Sequence, residues 1–288
     1  MDVDRNTKII LLLLAPAIVV IVGFFVIPIA LIGISSIAGT KAGLTLETLT
    51  LQNYTKFFTD EYYISVFFLT FKIAVVVTVI SLILGYPLAY YMVRMVKKRF
   101  VRRILYIIVV APLFTSSIVR AFAWMVILGR TGVVNNVLVE LNLVESPVRL
   151  IFNQLGVVIG LVYILAPLLV LTIASVLQNI DISLEQAAED LGANKIMTFL
   201  KVTLPLSLPG VVAGSLIVFT LSVSAYVTPA VLGGNKVKVL PMLIYEQYMS
   251  IFNWPFGGAL AIVLLASTLI LISIYTRYSE QRYESLQK

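Results

Sequence analysis

Six apolar stretches, each about as long as a bilayer is thick, constrain this 288-residue chain more than any other feature. A helix needs about 20 apolar residues to cross the hydrocarbon core. The stretches run from Ile9 to Ile34, Ile64 to Val93, Ile104 to Leu128, Leu155 to Leu177, Leu206 to Leu232 and Gly257 to Thr276. Membrane barrel strands alternate apolar and polar residues over about ten positions, and Ile9–Leu14 or Ile159–Val170 show no such alternation. Only 12% of the residues are charged, against about 25% in a soluble domain, too few to cover a water-soluble globule. The sequence therefore predicts one all-α integral membrane domain over 1–288, with about six transmembrane helices solvated by lipid. Arg5 and Lys8 precede the first stretch as in a signal peptide, but the stretch outruns a secretory h-region of about 7–15 residues and lacks a small-x-small cleavage site. An uncleaved helix is expected.

Orientation follows from Lys and Arg in the loops. With the N-terminus inside, thirteen of the 21 basic residues face the cytoplasm: Arg5, Lys8, Arg94, Lys97, Lys98, Arg99, Arg102, Arg103, Lys195, Lys201, Arg277, Arg282 and Lys288. Six face outside (Lys41, Lys56, Arg130, Arg149, Lys236, Lys238), and Lys72 and Arg120 fall within spans. A multi-pass membrane protein with both termini cytoplasmic is expected. The net charge of +7 reflects this topology rather than nucleic-acid binding.

The chain has no histidine and no cysteine, which removes thiolate metal sites, cysteine nucleophiles and the commonest general base. All 14 acidic residues can be placed in loops or termini. An intramembrane enzyme has no acid–base pair or metal site to work with, so no catalytic residue is assigned. An ion-coupled secondary transporter lacks the intramembrane carboxylates that such proteins use.

One inside loop departs from the basic pattern. Between the fourth and fifth stretches, Gln178–Thr203 carries Asp181, Glu185, Glu189 and Asp190 against two lysines. Ser183 with Gln186 has capping-box spacing, predicting a helix start. Leu184, Ala187, Ala188 and Leu191 then recur at helical spacing, and Gly192 is placed for a left-handed cap. A second short helix carrying Ile196, Phe199, Leu200 and Thr203 is expected next, with Pro205 in the first turn of the fifth span. A cytoplasmic loop over 181–205 folded as a short helix–turn–helix, its small residues open to another protein's backbone, is the predicted product.

The segment Gln186-Ala187-Ala188-Glu189-Asp190-Leu191-Gly192, then nine residues, then Val202-Thr203-Leu204-Pro205, resembles the EAA loop of binding-protein-dependent ABC permeases. The family pattern is E-A-A-x3-G-x9-I-x-L-P, with Gln186 here in place of the glutamate and Val202 in place of the isoleucine. The resemblance implies that Glu185, Gln186, Ala187, Ala188, Gly192, Leu204 and Pro205 couple the chain to an ATPase. The family's glutamate contacts a cationic group on that ATPase, and Glu185 is a candidate substitute, though about 100° around the helix. Asn53-Tyr54-x-x-Phe57-Phe58 and Gly85-Tyr86-Pro87-Leu88-Ala89-Tyr90 also look like the family. Arg120-x3-Trp124, Gly129-Arg130-Thr131-Gly132-Val133-Val134-Asn135 and Trp254-Pro255-Phe256-Gly257 resemble its spermidine/putrescine group. The implied partners are a second, homologous permease in a heterodimer, two ATP-binding subunits carrying Mg-ATP, and an extracytoplasmic solute-binding protein. This chain would itself hold no cofactor or metal, and the implied mechanism is alternating access. A polyamine or related amine is the implied solute; an opine, an aminophosphonate or an oxyanion is the alternative.

Several other residues have two readings. Lys72 is placed to snorkel to the outer interface. Arg120 is deeper and serves either backbone carbonyls or the solute path. Gly210 and Gly214 form a G-x-x-x-G suited to close helix packing. Trp124, Ser222, Ser224 and Tyr226 are candidates for the path, and the three on the fifth span equally for interhelical bonding. Gly233-Gly234-Asn235-Lys236 lacks the rest of a phosphate loop. Topology is directly testable: reporter fusions at Leu143 and Lys288 should read outside and inside respectively, and any other pairing would require a different number of spans.

Overall fold

A computed structural model describes residues 13–39 and 49–287, with side chains through residue 279. The expected start of the first span at Ile9, with Arg5 and Lys8, lies outside those residues, as do Lys41 and Lys288. Among the described residues all the regular secondary structure is helical, apart from one isolated bridge between Ala38 and Leu49. Helices α1 (Leu13–Ser36), α3 (Glu61–Met95), α7 (Gln154–Asn179), α9 (Lys195–Val223) and α11 (Trp254–Gln287) each contain a stretch long and apolar enough to cross a membrane. Shorter helices lie between them: α2 (Gln52–Thr59), α4 (Arg99–Phe114), α5 (Ser117–Ile127), α6 (Val133–Glu140), α8 (Ile182–Asp190) and α10 (Leu240–Met249). In hydrocarbon every backbone N–H and C=O must be satisfied within the protein, which is why the apolar runs become helices.

Two predicted spans differ from expectation. The third, read as Ile104 to Leu128, is broken: α4 and α5 meet at 102°. Pro112 begins a tight 3-10 turn at Ala111–Phe114, and Ser116 is extended. Hydropathy does not register this bend, since both halves are apolar. The fifth, read as Leu206 to Leu232, starts earlier and stops sooner. Helix continues unbroken from Lys195 to Val223, so the second short helix of the loop is the base of this span. Pro205 does not start a helix; a wide π turn at Phe199–Thr203 precedes it, with the Leu204 N–H reaching back to the Phe199 carbonyl. A wide turn relieves the clash of a proline ring with the preceding turn of helix. The chain then leaves the helix at Ser224 and forms a second π turn at Pro229–Gly233.

The chain divides into two compact units. The first holds the described residues up to Ile64 together with residues 243–266. Here buried Asn53 donates to the carbonyls of Ser36 and Ala38 at 2.9 and 3.2 Å, closing the end of α1. Tyr54 meets the Ser36 hydroxyl at 2.6 Å, and Phe57 is buried. The Asn53–Phe58 motif is thus a C-terminal clamp on α1. In the Trp254–Gly257 segment, Phe256 is fully buried with its ring edge-on to Tyr63, and the Lys56 ammonium stands 4.5 Å from the Phe256 ring centroid.

The second unit holds residues 65–242 and 267–288. Its core is α7, whose Val157, Leu161, Leu169, Ile173 and Leu177 are buried. Helix α9 lies against it: a Cβ on Gly210 would stand 2.9 Å from Val176 Cβ, and one on Gly214 would stand 3.4 Å from Leu169 Cα. Gly85 of α3 meets Leu169 and Val170 of α7 in the same manner. The small-residue pair in the fifth stretch therefore serves close packing. Asn135, fully buried, donates to the Gly129 and Val148 carbonyls and accepts from the Val148 N–H, so the Gly129–Asn135 segment folds as a stapled turn. Gly210→Leu should push α7 and α9 apart at a cost of about 1–3 kcal/mol, read as a lowered thermal midpoint in detergent. Gly23→Ala, with nothing within 4 Å of the new methyl, should change that midpoint little.

Candidate functional site

The loop between the fourth and fifth stretches folds as predicted in outline, with one change at its start. Helix α8 begins at Ile182, and its N-cap is Asp181, whose carboxylate accepts from the Ser183 N–H at 2.9 Å. Ser183 therefore lies inside the first turn, and the capping-box reading gives way to a stronger acceptor two residues earlier. The hydrogen bonds from the Ser183 backbone, then from its hydroxyl, hold the Asp181 carboxyl below the ordinary carboxylate value. A depressed pKa means the cap is fully present above the unfolded value and is lost as pH falls through the folded one.

Gly192 ends α8 at φ +90°. The Gly192 N–H bonds the Glu189 carbonyl at 2.9 Å and the Ala193 N–H bonds the Ala188 carbonyl at 3.0 Å, the paired bonds of a Schellman cap. Asn194 then caps α9, accepting from the Met197 N–H at 2.8 Å. A glycine cap followed directly by an Asn cap gives a tight reversal, and nothing in the chain lies within 4 Å of a Cβ placed on Gly192.

The seven expected coupling residues separate into two groups. Gln186, Ala187 and Gly192 are exposed and Ala188 is half-buried. Leu191, beside Gly192, is 90% exposed, and Leu184, Ile196 and Leu200 are also open. Leu204 and Pro205 are half-buried at the base of α9. Glu185 does not stand with Gln186. It turns inward, where the Arg94 Nε donates to its Oε1 at 2.9 Å and the Thr203 hydroxyl donates to the same oxygen at 3.0 Å. The side chains of Arg94 and Glu185 are only 9% and 14% exposed. Arg94 Nη2 also donates to the Ile180 carbonyl at 3.0 Å, just before α8. Three elements thus meet at one carboxylate: the end of α3, helix α8 and the base of α9. Beneath them Tyr86 bonds Ser207 at 2.8 Å, and Phe199 packs edge-on to Tyr86 and Tyr90.

Sequence reasoning counted Arg94 only as an inside positive charge. Its partner is 91 residues away, and no local pattern joins the two. The one available signal was a lone acidic residue on the inner side of an otherwise exposed helix.

The five expected path residues occupy different settings. Arg120 is 9% exposed; its guanidinium donates to the Pro112 carbonyl, which also accepts from the Thr115 N–H and hydroxyl, and to the Ser117 hydroxyl at 3.0 Å. Of its two readings, the contacts made are those of structural pairing at the bend. Trp124 packs edge-on to Tyr163 with ring centroids 5.2 Å apart. Ser222 is buried near the end of α9, and its hydroxyl has no hydrogen-bond partner among the described residues. Ser224 and half-buried Tyr226 fall beyond that helix rather than within a span. Lys72 reaches the Gln154 side chain at 3.4 Å. Among the described residues no group of His, Cys, Asp and Glu could hold a metal ion.

Removing Arg94 leaves a mostly buried carboxylate without its counter-ion, which costs about 3 kcal/mol or more. Arg94→Ala should release α8 locally, giving faster amide exchange across residues 182–190 while exchange in α7 is retained. Unchanged protection of α8 would contradict this assignment.

Comparison with known proteins agrees with this architecture. The family model for the binding-protein-dependent transport system inner membrane component matches residues 81–285. The spermidine/putrescine transport system permease protein PotB of Escherichia coli K12 is 33% identical over 267 residues, covering 91% of this chain and 96% of that one. PotB of Haemophilus influenzae is 35% identical over 229 residues, covering 80% and 79%. In fold, the chain is similar to a bacterial ABC transporter involved in the import of the acidic polysaccharide alginate, at TM-score 0.76 and 19% identity over 97% of both chains. It is also similar to the MetNI methionine ABC transporter, at TM-score 0.56 and 18% identity. An apolar helical bundle, a Gly-capped helix on a polar loop, and an alignment running through both place this chain in the family of binding-protein-dependent transport system inner membrane components.

Proposed function

We propose that the chain is a permease subunit of an ATP-driven importer for a polyamine or a related small amine. Support for the solute class comes from the two relatives named for spermidine and putrescine, aligned over most of the chain. In this reading a second, homologous permease completes the membrane core. Two ATP-binding subunits with Mg-ATP dock from the cytoplasm, and a solute-binding protein delivers from outside. In this reading both termini lie inside, which the distribution of basic residues supports.

The observation that carries the reading is the exposed surface of α8, its Gly192 turn and the base of α9. Leu191 at 90% exposure, with Leu184, Ile196 and Leu200, is an apolar patch on a polar loop and calls for a protein partner. Gly192 lets that partner approach the backbone closely, and Gln186 presents a neutral amide where the family has a carboxylate. Glu185 is committed to Arg94 and Thr203, so Gln186 and the apolar rim, rather than Glu185, meet the ATPase.

Solute selection belongs to the binding protein. Apart from Glu61 at the start of α3, the described apolar spans offer a polycation no carboxylate, and weak binding in the path lets solute leave. Aromatic faces such as Trp124 and Tyr226 would ease its passage by cation–π contacts of about 0.5–2 kcal/mol each. The reconstituted complex should hydrolyse ATP faster when its binding protein carries putrescine or spermidine. Stimulation only by an anionic or sugar ligand would end the amine assignment while leaving the permease reading in place. Within this complex Gly192→Val should insert normally yet lose ATPase association or uptake. The β-branched side chain is strained at positive φ and projects into the space reserved for the partner. Gln186→Glu should retain uptake. Normal transport by Gly192→Val would remove the loop from the mechanism.

A further inference from the structure

From the juxtaposition of Arg99 and Arg103 with an apolar groove on the same face of α4, we infer a binding site for one anionic phospholipid of the cytoplasmic leaflet. Five of the seven residues from Lys97 to Arg103 are basic, and no acidic residue occurs between Glu61 and Glu140. Arg99 and Arg103 are exposed. Below them Ile107, Val110 and Phe114 continue the same helical stripe at spacings of four, three and four residues. Tyr106, Ile107, Val110, Ala111 and Phe114 line a shallow groove of about 450 Å³, and Phe114 at its far end is 86% exposed.

Lengths and charge select the occupant. From Arg103 to Phe114 the helix rises about 17 Å, close to the half-thickness of about 15 Å of a bilayer's hydrocarbon core. A basic collar at the top and an apolar channel one leaflet deep fit a phosphate headgroup with one acyl chain. The guanidinium forks suit phosphate oxygens, and the first turn of the helix adds the positive end of its dipole. The 102° bend after Phe114 closes the channel where the leaflet ends. The assignment of this end to the cytoplasmic leaflet rests on the orientation proposed above; the lipid contact itself does not depend on transport.

Native mass spectrometry of the intact complex, purified in mild detergent and titrated with phosphatidylglycerol, tests the site without reading uptake. The wild-type complex should retain phosphatidylglycerol in preference to phosphatidylcholine. Arg99→Gln with Arg103→Gln should weaken that retention by about tenfold or more, since each basic group near an anionic surface contributes about fivefold. Ala111→Trp, which fills the groove and leaves every charge in place, should weaken it as well. The charge-matched pair Lys97→Gln with Lys98→Gln should retain it. Equal loss in both charge-matched pairs, or no loss in Ala111→Trp, would overturn the site in favour of diffuse attraction. So would cross-linking of residue 110 to the second permease, which would make the groove a subunit interface.

Discussion

A backbone carbonyl or amide that leaves a helix inside a bilayer finds no water to replace its partner, and each such group costs several kcal/mol if left bare. Several of the polar side chains buried among the described residues answer that constraint. Asn53 closes the end of α1, Asn135 staples the turn after α5, and the Thr70 hydroxyl accepts the Leu240 N–H at 2.8 Å where α10 begins. Arg120 of α5 also donates to the Pro112 carbonyl at the break, beside the Thr115 N–H and hydroxyl, and so ties α5 to the last turn of α4.

The same economy operates at the cytoplasmic end. Helix α8 is short and mostly exposed, and a helix of nine residues has little stability alone. Its Asp181 cap, its Gly192 turn and the Glu185 carboxylate supply what its length does not. Because Glu185 takes bonds from both Arg94 and Thr203, α8 is attached to the ends of two membrane helices at once. π turns lie at Tyr91–Met95 and Phe199–Thr203, one on each of those helices. Wide turns of this kind recur at functional sites. A push on α8 by an ATPase would thus be delivered to α3 and α9 together.

Much of this was legible in the sequence, and the misses share a cause. Length and hydropathy located five of the spans, because apolar runs bounded by charge have one low-energy state in lipid. Gly192 was legible since only glycine adopts its backbone angle cheaply, and Gly210 and Gly214 since small residues at that spacing mark close packing. The break at Pro112 was hidden because both halves of the third stretch are equally apolar. The spacing of Ser183 and Gln186 marks Ser183 as the cap, whereas the Asp181 carboxylate two residues earlier takes that place. Pro205 marked a helix start by local rule, while the π turn ahead of it let the helix run through. Arg94 and Glu185 lie far apart in the chain, and their pairing is a product of packing between α3 and α8 that no local pattern carries.

The central claim is that the Arg94–Glu185 contact links α8, the helix proposed to face the ATPase, to the membrane spans. Exchanging the two charges tests it most directly, with ATP-driven uptake measured in proteoliposomes for Arg94→Glu, Glu185→Arg and the double exchange. The account predicts that each single variant inserts but loses most uptake, and that the double exchange recovers a substantial part of it. Single variants that transport as well as the wild type, or a double exchange no better than either one, would contradict it.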